Sequence, residues 1–193
     1  MEAIKADKVV VGNELKPNPE IEKANIHDLL QIYDQSFFNG DLEGKVLLEW
    51  SQRMTQCAGI CYLDQAAVDS GKGLFCVVRL SYPLLKYRSL AELYETLLHE
   101  LIHAWLWLTK TRKELNIGRD GHGPDFTKKM NQINAETGLR LSVYHSFRDE
   151  VYKAQGHVWL CDGKCSTKPP FFGRVARANN RPPGPQDWWF SEH

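Results

Sequence analysis

The centre of the sequence carries a metal-binding pattern, His99-Glu100-Leu101-Ile102-His103. Residues four apart share one face of a helix, so the imidazoles of His99 and His103 can reach the same ion. Zinc suits this arrangement, with Zn–N distances of about 2.0–2.1 Å. Glu100 is rotated away from the two ligands but stays near the metal, where its carboxylate can act as general base. The pattern predicts hydrolysis of an amide by zinc-activated water.

The alternative is a buried helix that holds two histidines and a glutamate by coincidence. The segment from Leu97 to Leu108 is otherwise almost entirely apolar. Buried ionisable groups without a partner cost several kcal/mol, and a bound metal removes that cost. We therefore interpret the segment as a metal site.

A catalytic zinc usually needs a third protein ligand and one open position. Threonine occupies position 109, where one known pattern of zinc proteases has its third histidine. His122 is the leading candidate, because it lies between two glycines where the backbone can turn its ring inward. Asp120, Asp125 and His145 remain alternatives.

A second pair of possible ligands, Cys161 and Cys165, flanks a glycine near the C-terminus. Their spacing is typical of structural zinc sites, and the surrounding region is too small to hold a large apolar core. Two more ligands would be needed, and His193 and His157 are the options. The alternative is a pair of free surface thiols.

Helical patterns predict the elements that must position the central motif. The central helix should begin at the capping box of Ser89 and Glu92, end near Thr109, and lie in the middle of the fold, since it is apolar almost all round. Two further helices are predicted, over Ile26–Phe37 and from Gly123-Pro124-Asp125 to Thr137-Gly138.

Three short segments read as strands and favour a small antiparallel sheet, which makes the fold class α+β. They span Val46–Trp50, Cys57–Leu63 and Leu74–Leu80. Cys57, Cys61 and Cys76 lie within them, and we interpret these cysteines as core residues.

Composition indicates a globular chain in a reducing compartment. The 193 residues include 42% hydrophobic and 25% charged residues, which excludes a disordered chain, a collagen or a coiled-coil rod. The N-terminus has charges where a secretory signal needs an apolar run, and no apolar stretch reaches membrane length. We therefore expect no membrane partner. Five cysteines without a secretory signal indicate free or metal-bound thiols.

The chain divides into three predicted regions. Residues 1–24 are expected to form a flexible N-terminal arm, residues 25–151 the main domain, and residues 152–193 a compact, loop-rich unit. The net charge of zero hides an asymmetry, since residues 1–109 hold 10 basic and 15 acidic residues and residues 110–193 hold 14 and 9. A basic C-terminal half points to a nucleic-acid partner.

The C-terminal unit has the composition of a single-strand binder. Aromatic rings stack on bases for about 1–3 kcal/mol each, while arginines hold the phosphates with little sequence preference. Phe171 and Trp189 are predicted to stack on bases and Arg177 to contact phosphate, although most of the rings could instead form the core of the unit. The residues concerned are Phe171, Phe172, Trp188, Trp189 and Phe190, interleaved with Arg174, Arg177 and Arg181.

Several segments together resemble the SprT-like metalloprotease domain of the Spartan family. The resemblance covers roughly residues 25–193. It is carried by the segments 79–85, 97–104, 121–126, 133–134, 143–145, 147–151, 169–174 and 188–193. It implies a SprT-like zincin metalloprotease domain followed by a small subdomain that binds zinc and single-stranded DNA. Spartan proteins are nuclear, chromatin-associated proteases that cleave proteins crosslinked to DNA, in DNA repair during replication.

The resemblance also implies roles for individual residues. His99, His103 and His122 would hold the catalytic zinc, with Glu100 as catalytic base. Cys161, Cys165 and His193 match three ligands of a second, structural zinc. The family's fourth ligand is a cysteine that would follow residue 193, so the second site is expected to be incomplete in an apparently truncated chain.

The implied partners are single-stranded DNA or junctions of single- and double-stranded DNA, and DNA-crosslinked protein substrates. The clamp-, ubiquitin- and unfoldase-binding regions of the family are not found in this fragment. Two other functions compete with this interpretation. One is a DNA-binding module whose metal is only structural, and the other is a metallopeptidase without a DNA role.

Overall fold

A computed structural model describes residues 16–71, 73, 75–111, 114, 118, 121–143, 156–161, 163–167, 172–177 and 180–187. The chain forms two compact units, one of residues 16–147 and another that contains residues 148–193. The predicted domain boundary between residues 151 and 152 lies outside the described residues.

The first unit is built on helix α5, Leu90–Thr109, whose predicted bounds are confirmed. Its N-terminus is a capping box in which the Ser89 hydroxyl accepts the N–H of Glu92 at 3.2 Å. The Glu92 carboxylate accepts the N–H of Ser89 in return, at 3.0 Å. Apolar side chains from Leu93 to Leu106 are buried, so the helix lies in the core as predicted.

A three-stranded sheet packs against α5. It consists of β1 (Val46–Ser51), β2 (Gly59–Leu63) and β3 (Cys76–Ser81) in the order β1-β3-β2. Strand β2 is antiparallel to β3, but β1 is parallel to it. The predicted antiparallel sheet is therefore wrong for β1. Residues 52–58 carry the chain past the position of β3 to β2, and the connection between the parallel strands β1 and β3 runs through β2.

The strand that contains Cys61 begins two residues later than predicted. Cys57 lies before β2 and is exposed, so its interpretation as a core residue is wrong. It precedes the ladder that pairs β2 with β3. Cys61 is half-buried and Cys76 is fully buried, as their positions beneath α5 predict.

Five further helices occur in the described part of this unit. They are α1 (Pro19–Lys23), α2 (Ile26–Phe37), α3 (Gln65–Asp69), α4 (Tyr82–Leu85) and α6 (Pro124–Thr137). Helix α2 has its predicted bounds, and α6 ends where Gly138 takes a left-handed conformation with φ +73°.

Helix α1 corrects the prediction of a flexible arm through residue 24. The Asn18 side chain caps α1 by accepting the N–H of Glu20 at 3.0 Å, and Ile21 is buried in the core. The Asn18 N–H also donates to the carbonyl of Lys86 at 2.6 Å. One buried isoleucine produces no periodic pattern that the sequence could reveal.

The second unit contains an antiparallel pair of strands, β4 (His157–Leu160) and β5 (Arg174–Arg177). A single 3₁₀ turn, Lys164–Thr167, lies between them in the sequence. Trp159 is buried beneath this pair. Among the described residues of both units, no helix combines the length and apolarity needed to cross a membrane.

Loss of the cap of α5 should weaken the whole first unit. We expect Ser89→Ala to lower the free energy of unfolding by about 0.5–2 kcal/mol, because the N–H of Glu92 loses its acceptor. Urea denaturation followed by circular dichroism measures the change. Ser89→Thr keeps the hydroxyl and should stay close to wild type; an equal loss in both variants would contradict the capping role.

Candidate functional site

Three imidazoles converge at one point on the surface of α5. The Nε2 atom of His99 lies 3.3 Å from that of His103 and 3.0 Å from that of His122. The Nε2 atoms of His103 and His122 are 3.3 Å apart. The structure therefore brings together the two histidines of the HExxH segment and the leading candidate for the third ligand.

The chain between α5 and α6 carries His122 to this point. Gly121 has φ +85°, a conformation that L side chains rarely adopt, and it lies beside the ring of His103. Gly123 is the N-cap of α6, and Pro124 begins that helix. Gly121 thus lets the backbone turn His122 towards α5, as predicted, whereas Gly123 has an ordinary extended conformation.

The hydrogen bonding of His99 fixes the tautomer of its ring. Its Nδ1 lies 3.0 Å from the backbone carbonyl oxygen of Ser142. A carbonyl only accepts, so Nδ1 carries the proton and Nε2 presents its lone pair to the other imidazoles. A ligand histidine held in this way by a carbonyl is typical of zinc sites.

The ring of Phe126 packs against all three histidine rings of the cluster. Its ring centroid lies 4.9 Å from that of His99, 4.6 Å from that of His103 and 4.7 Å from that of His122. Phe126 is fully buried, so it holds all three imidazoles from one side. Sequence reading placed Phe126 on the inner face of α6 but did not connect it with the metal ligands.

The three donors fit a zinc ion. Ligand nitrogens at about 2.0–2.1 Å from a tetrahedral zinc lie roughly 3.3 Å from one another. The observed Nε2 separations of 3.0–3.3 Å match these edges. Burial, and then the charge of His122, lower the pKa of His103 to about 4. The neutral imidazole that a metal requires is therefore the stable form at neutral pH.

Of the other candidate third ligands, the structure describes Asp125, which is not part of this cluster. The Asp125 carboxylate pairs with the ammonium group of Lys110 at 3.2 Å. Asp120 and His145 lie outside the described residues. Within the described part of the chain, His99, His103 and His122 form the group that can hold a metal.

Glu100 is almost completely buried, with 8% of its surface exposed. Burial disfavours the carboxylate and raises the pKa of Glu100 to about 8. A nearby cation would act in the opposite direction, since it favours the ionised form. The residue thus has the buried, tunable carboxyl group that a general base needs.

Cys161 lies in a tight turn of the second unit. Its sulfur accepts the N–H of Gly163 at 3.4 Å, and its own N–H is donated to the carbonyl of Gly173 at 2.8 Å. Cys165 follows within the 3₁₀ turn. His193 lies outside the described residues.

Arg177 forms an ion pair with Asp187 at 2.6 Å, and its side chain is 13% exposed. Arg181 contacts the same carboxylate at 2.6 Å and is more exposed, at 42%. The Asp187 pKa falls to about 2: burial raises it, but the hydrogen bonds from Arg177, the Gly184 N–H and Arg181 outweigh that effect. Part of the charge of Arg177 is therefore already balanced inside the unit.

Of the aromatic residues predicted to stack on bases, Phe171 and Trp189 lie outside the described residues. The neighbouring Phe172 is 62% exposed, in a turn where its own φ is +47°. Phe172 was not among the residues predicted to stack on bases. The glycine that follows it, Gly173, could have indicated its exposure, because such a glycine is typical of a turn that leaves the preceding side chain in solvent.

The sequence model of the SprT-like family matches residues 26–145. The chain belongs to the SprT-like family. A second model, the Spartan-like zinc binding domain, matches residues 156–193. Both matches confirm the resemblance and the α+β metalloprotease fold with a zinc-binding unit that the motifs predicted.

Curated relatives of this SprT-like chain carry names that state an activity. The DNA-dependent metalloprotease SPRTN of Homo sapiens is 47% identical over 177 residues, which cover 92% of this chain and 33% of the relative. SPRTN of Danio rerio is 46% identical, covering 93% and 26%. The DNA-dependent metalloprotease dvc-1 of Caenorhabditis elegans is 47% identical, covering 88% and 44%. The chain therefore spans less than half the length of these relatives.

Removal of one imidazole should disable the SprT-like metal site. We expect His122→Ala to weaken zinc binding at this site at least 100-fold, a larger loss than replacement of an outer-shell partner causes. Competition with a chromophoric chelator measures the affinity. His27→Ala, on the exposed face of α2, is the matched control and should not change it. Wild-type affinity in His122→Ala would exclude His122 as a ligand.

Proposed function

We propose that this chain is the catalytic part of a DNA-dependent zinc metalloendopeptidase that cleaves proteins bound or crosslinked to DNA. The convergence of three imidazole Nε2 atoms beside a helix with a buried glutamate carries the proposal. Relatives named DNA-dependent metalloproteases, 46–47% identical to this chain, support it. The proposed setting is chromatin in the nucleus, in repair of DNA–protein crosslinks during replication.

His99, His103 and His122 would hold the catalytic zinc through Nε2. The carbonyl of Ser142 keeps His99 in the ligand tautomer, and Phe126 keeps the three rings converged. Zinc in such a site supplies Lewis-acid chemistry, which activates water and polarises a peptide carbonyl.

Glu100 would move the protons of the reaction. Its carboxylate accepts one proton from the water molecule whose oxygen attacks the scissile carbonyl carbon. The same proton then passes from Glu100 to the nitrogen of the leaving amine as the C–N bond breaks. Burial favours this transfer, because a carboxyl group with a raised pKa is a stronger base once ionised and can hold the proton between the two steps.

Replacement of Glu100 tests this assignment. We expect Glu100→Gln to keep its zinc and to lose cleavage of a DNA-bound protein by about 10²–10⁴-fold, the usual contribution of a general base. Gel electrophoresis measures the cleavage, and inductively coupled plasma mass spectrometry measures the zinc content. Glu43→Gln is the matched control, because it replaces an exposed carboxylate that is distant from Glu100 in the sequence. Undiminished cleavage by Glu100→Gln would contradict the assignment of Glu100 as general base.

The same assay includes a DNA arm. We expect single-stranded DNA, or duplex DNA with unpaired ends, to increase cleavage, and high salt to remove the increase. If the rate of cleavage were the same with and without DNA, the proposed DNA dependence would be contradicted, and the chain would be an ordinary metallopeptidase.

The second unit would bind the DNA. Exposed Phe172 supports a stacking surface next to Phe171, and Trp189 is the other proposed stacking residue. Arg177 remains the proposed phosphate contact, with Arg181 beside it as the more exposed of the two. Local concentration on DNA would then select substrates for a cleft with little sequence preference of its own.

We also propose that Cys161, Cys165 and His193 hold a second, structural zinc. The match to a zinc-binding family model and the hydrogen bond from the Gly163 N–H to the Cys161 sulfur support this site. Zinc can be held by three protein ligands with water in the fourth position, so we expect two zinc ions per chain by inductively coupled plasma mass spectrometry, and one in Cys161→Ser. Cys57→Ser, which removes an exposed thiol, should keep both. A wild-type chain with one zinc would contradict the second site.

A further inference from the structure

Gly59, the first residue of the edge strand β2, lies directly against the side chain of Glu100. A β-carbon built on Gly59 would lie 2.7 Å from both Cγ and Oε1 of Glu100, and 3.0 Å from Cδ. β-carbons in proteins essentially never approach other atoms more closely than 3.0 Å. Any side chain at position 59 would therefore require Glu100 to move.

The backbone of Gly59 does not itself require glycine. Its φ lies outside the left-handed region, and the residue pairs with Leu80 of β3 in an ordinary ladder. Glycine also weakens the interior of a strand relative to residues with side chains. The space for Glu100 is thus the physical reason for glycine at this position.

The side chain of Glu100 has little room to move aside. It is 92% buried on a helix whose neighbours Leu97, Leu101 and Ala104 are fully buried. Interiors are closely packed, so an added methyl group forces side chains away from their preferred rotamers. The displaced atoms would be those of the carboxyl group and its adjoining methylene.

We infer that Gly59 is a positioning residue for Glu100: the missing side chain in β2 creates the recess that holds the carboxyl group of Glu100. This inference rests on the proposed function, in which Glu100 moves the protons. The helix alone sets the direction of the side chain, and the edge strand then sets where the carboxyl group comes to rest.

Gly59→Ala separates positioning from metal binding. We expect kcat for DNA-dependent cleavage to fall about 10–100-fold, since a displacement of about 1 Å at a reacting group can cost 100-fold. KM and zinc affinity should stay within about twofold of wild type, because the atoms nearest to the added carbon all belong to Glu100. Unchanged kcat, or a parallel loss of zinc, would overturn the inference.

Gly156→Ala is the matched control. Among the residues that the structure describes, no atom lies within 4 Å of a β-carbon built on Gly156, and the residue needs no left-handed conformation. Its kcat and zinc content should equal those of wild type. An equal loss of kcat in this variant would show that the effect of alanine is not specific to the contact with Glu100.

A thermal double-mutant cycle tests the contact without any activity assay. We expect Gly59→Ala to lower the melting temperature by about 3–8 °C in the presence of Glu100, as overpacking does. In the background of Glu100→Ala the same substitution should cost much less, because the clashing atoms are gone. Equal costs in both backgrounds would overturn the inference.

The cycle also remains informative if Gly59→Ala fails to fold. A folded double variant, Gly59→Ala with Glu100→Ala, would then support the inference. An unfolded double variant would overturn it, because it would show that alanine destabilises the strand itself. If the wild-type chain cleaves no protein, the proposed function fails, yet the cycle still decides whether Gly59 positions Glu100.

Discussion

The structure depends on burial of ionisable side chains in one apolar helix. His99 and Glu100 are buried among leucines on α5, and His103 lies one turn further on. Burial disfavours every charged form, so it lowers the pKa of His103 to about 4 and raises that of Glu100 to about 8. A divalent cation held by the three imidazoles would reduce the penalty for the Glu100 carboxylate, so the ionisation of the proposed base would depend on whether the proposed site is occupied.

The elements around α5 can be understood from this constraint. Phe126 of α6 closes the cluster from one side, and the carbonyl of Ser142 fixes the tautomer of His99. Strand β2 packs on α5 at Gly59 and sets the position of Glu100. Each contact comes from a different element, so the geometry of the site requires the complete fold of the first unit.

Sequence reading succeeded where the determining interactions are local. The capping box at Ser89, the pair of histidines four residues apart and the glycines around His122 act within a few residues, and the structure shows all three. Sequence reading failed where neighbours are distant in the chain. The insertion of β3 between β1 and β2, the burial of Ile21 and the exposure of Cys57 depend on tertiary packing, which residue patterns do not encode.

The contact between Gly59 and Glu100 is also invisible in the sequence, since 40 positions separate the two residues. An HExxH helix by itself specifies which face carries the ligands and which side the glutamate leaves from. It does not specify how far the carboxyl group extends or where it stops, because that side chain has several rotamers. The edge strand β2 restricts the rotamers of Glu100, because the missing β-carbon of Gly59 leaves a recess that its carboxyl group occupies. The position of the base in this fold is therefore a property of the strand as much as of the helix that carries it.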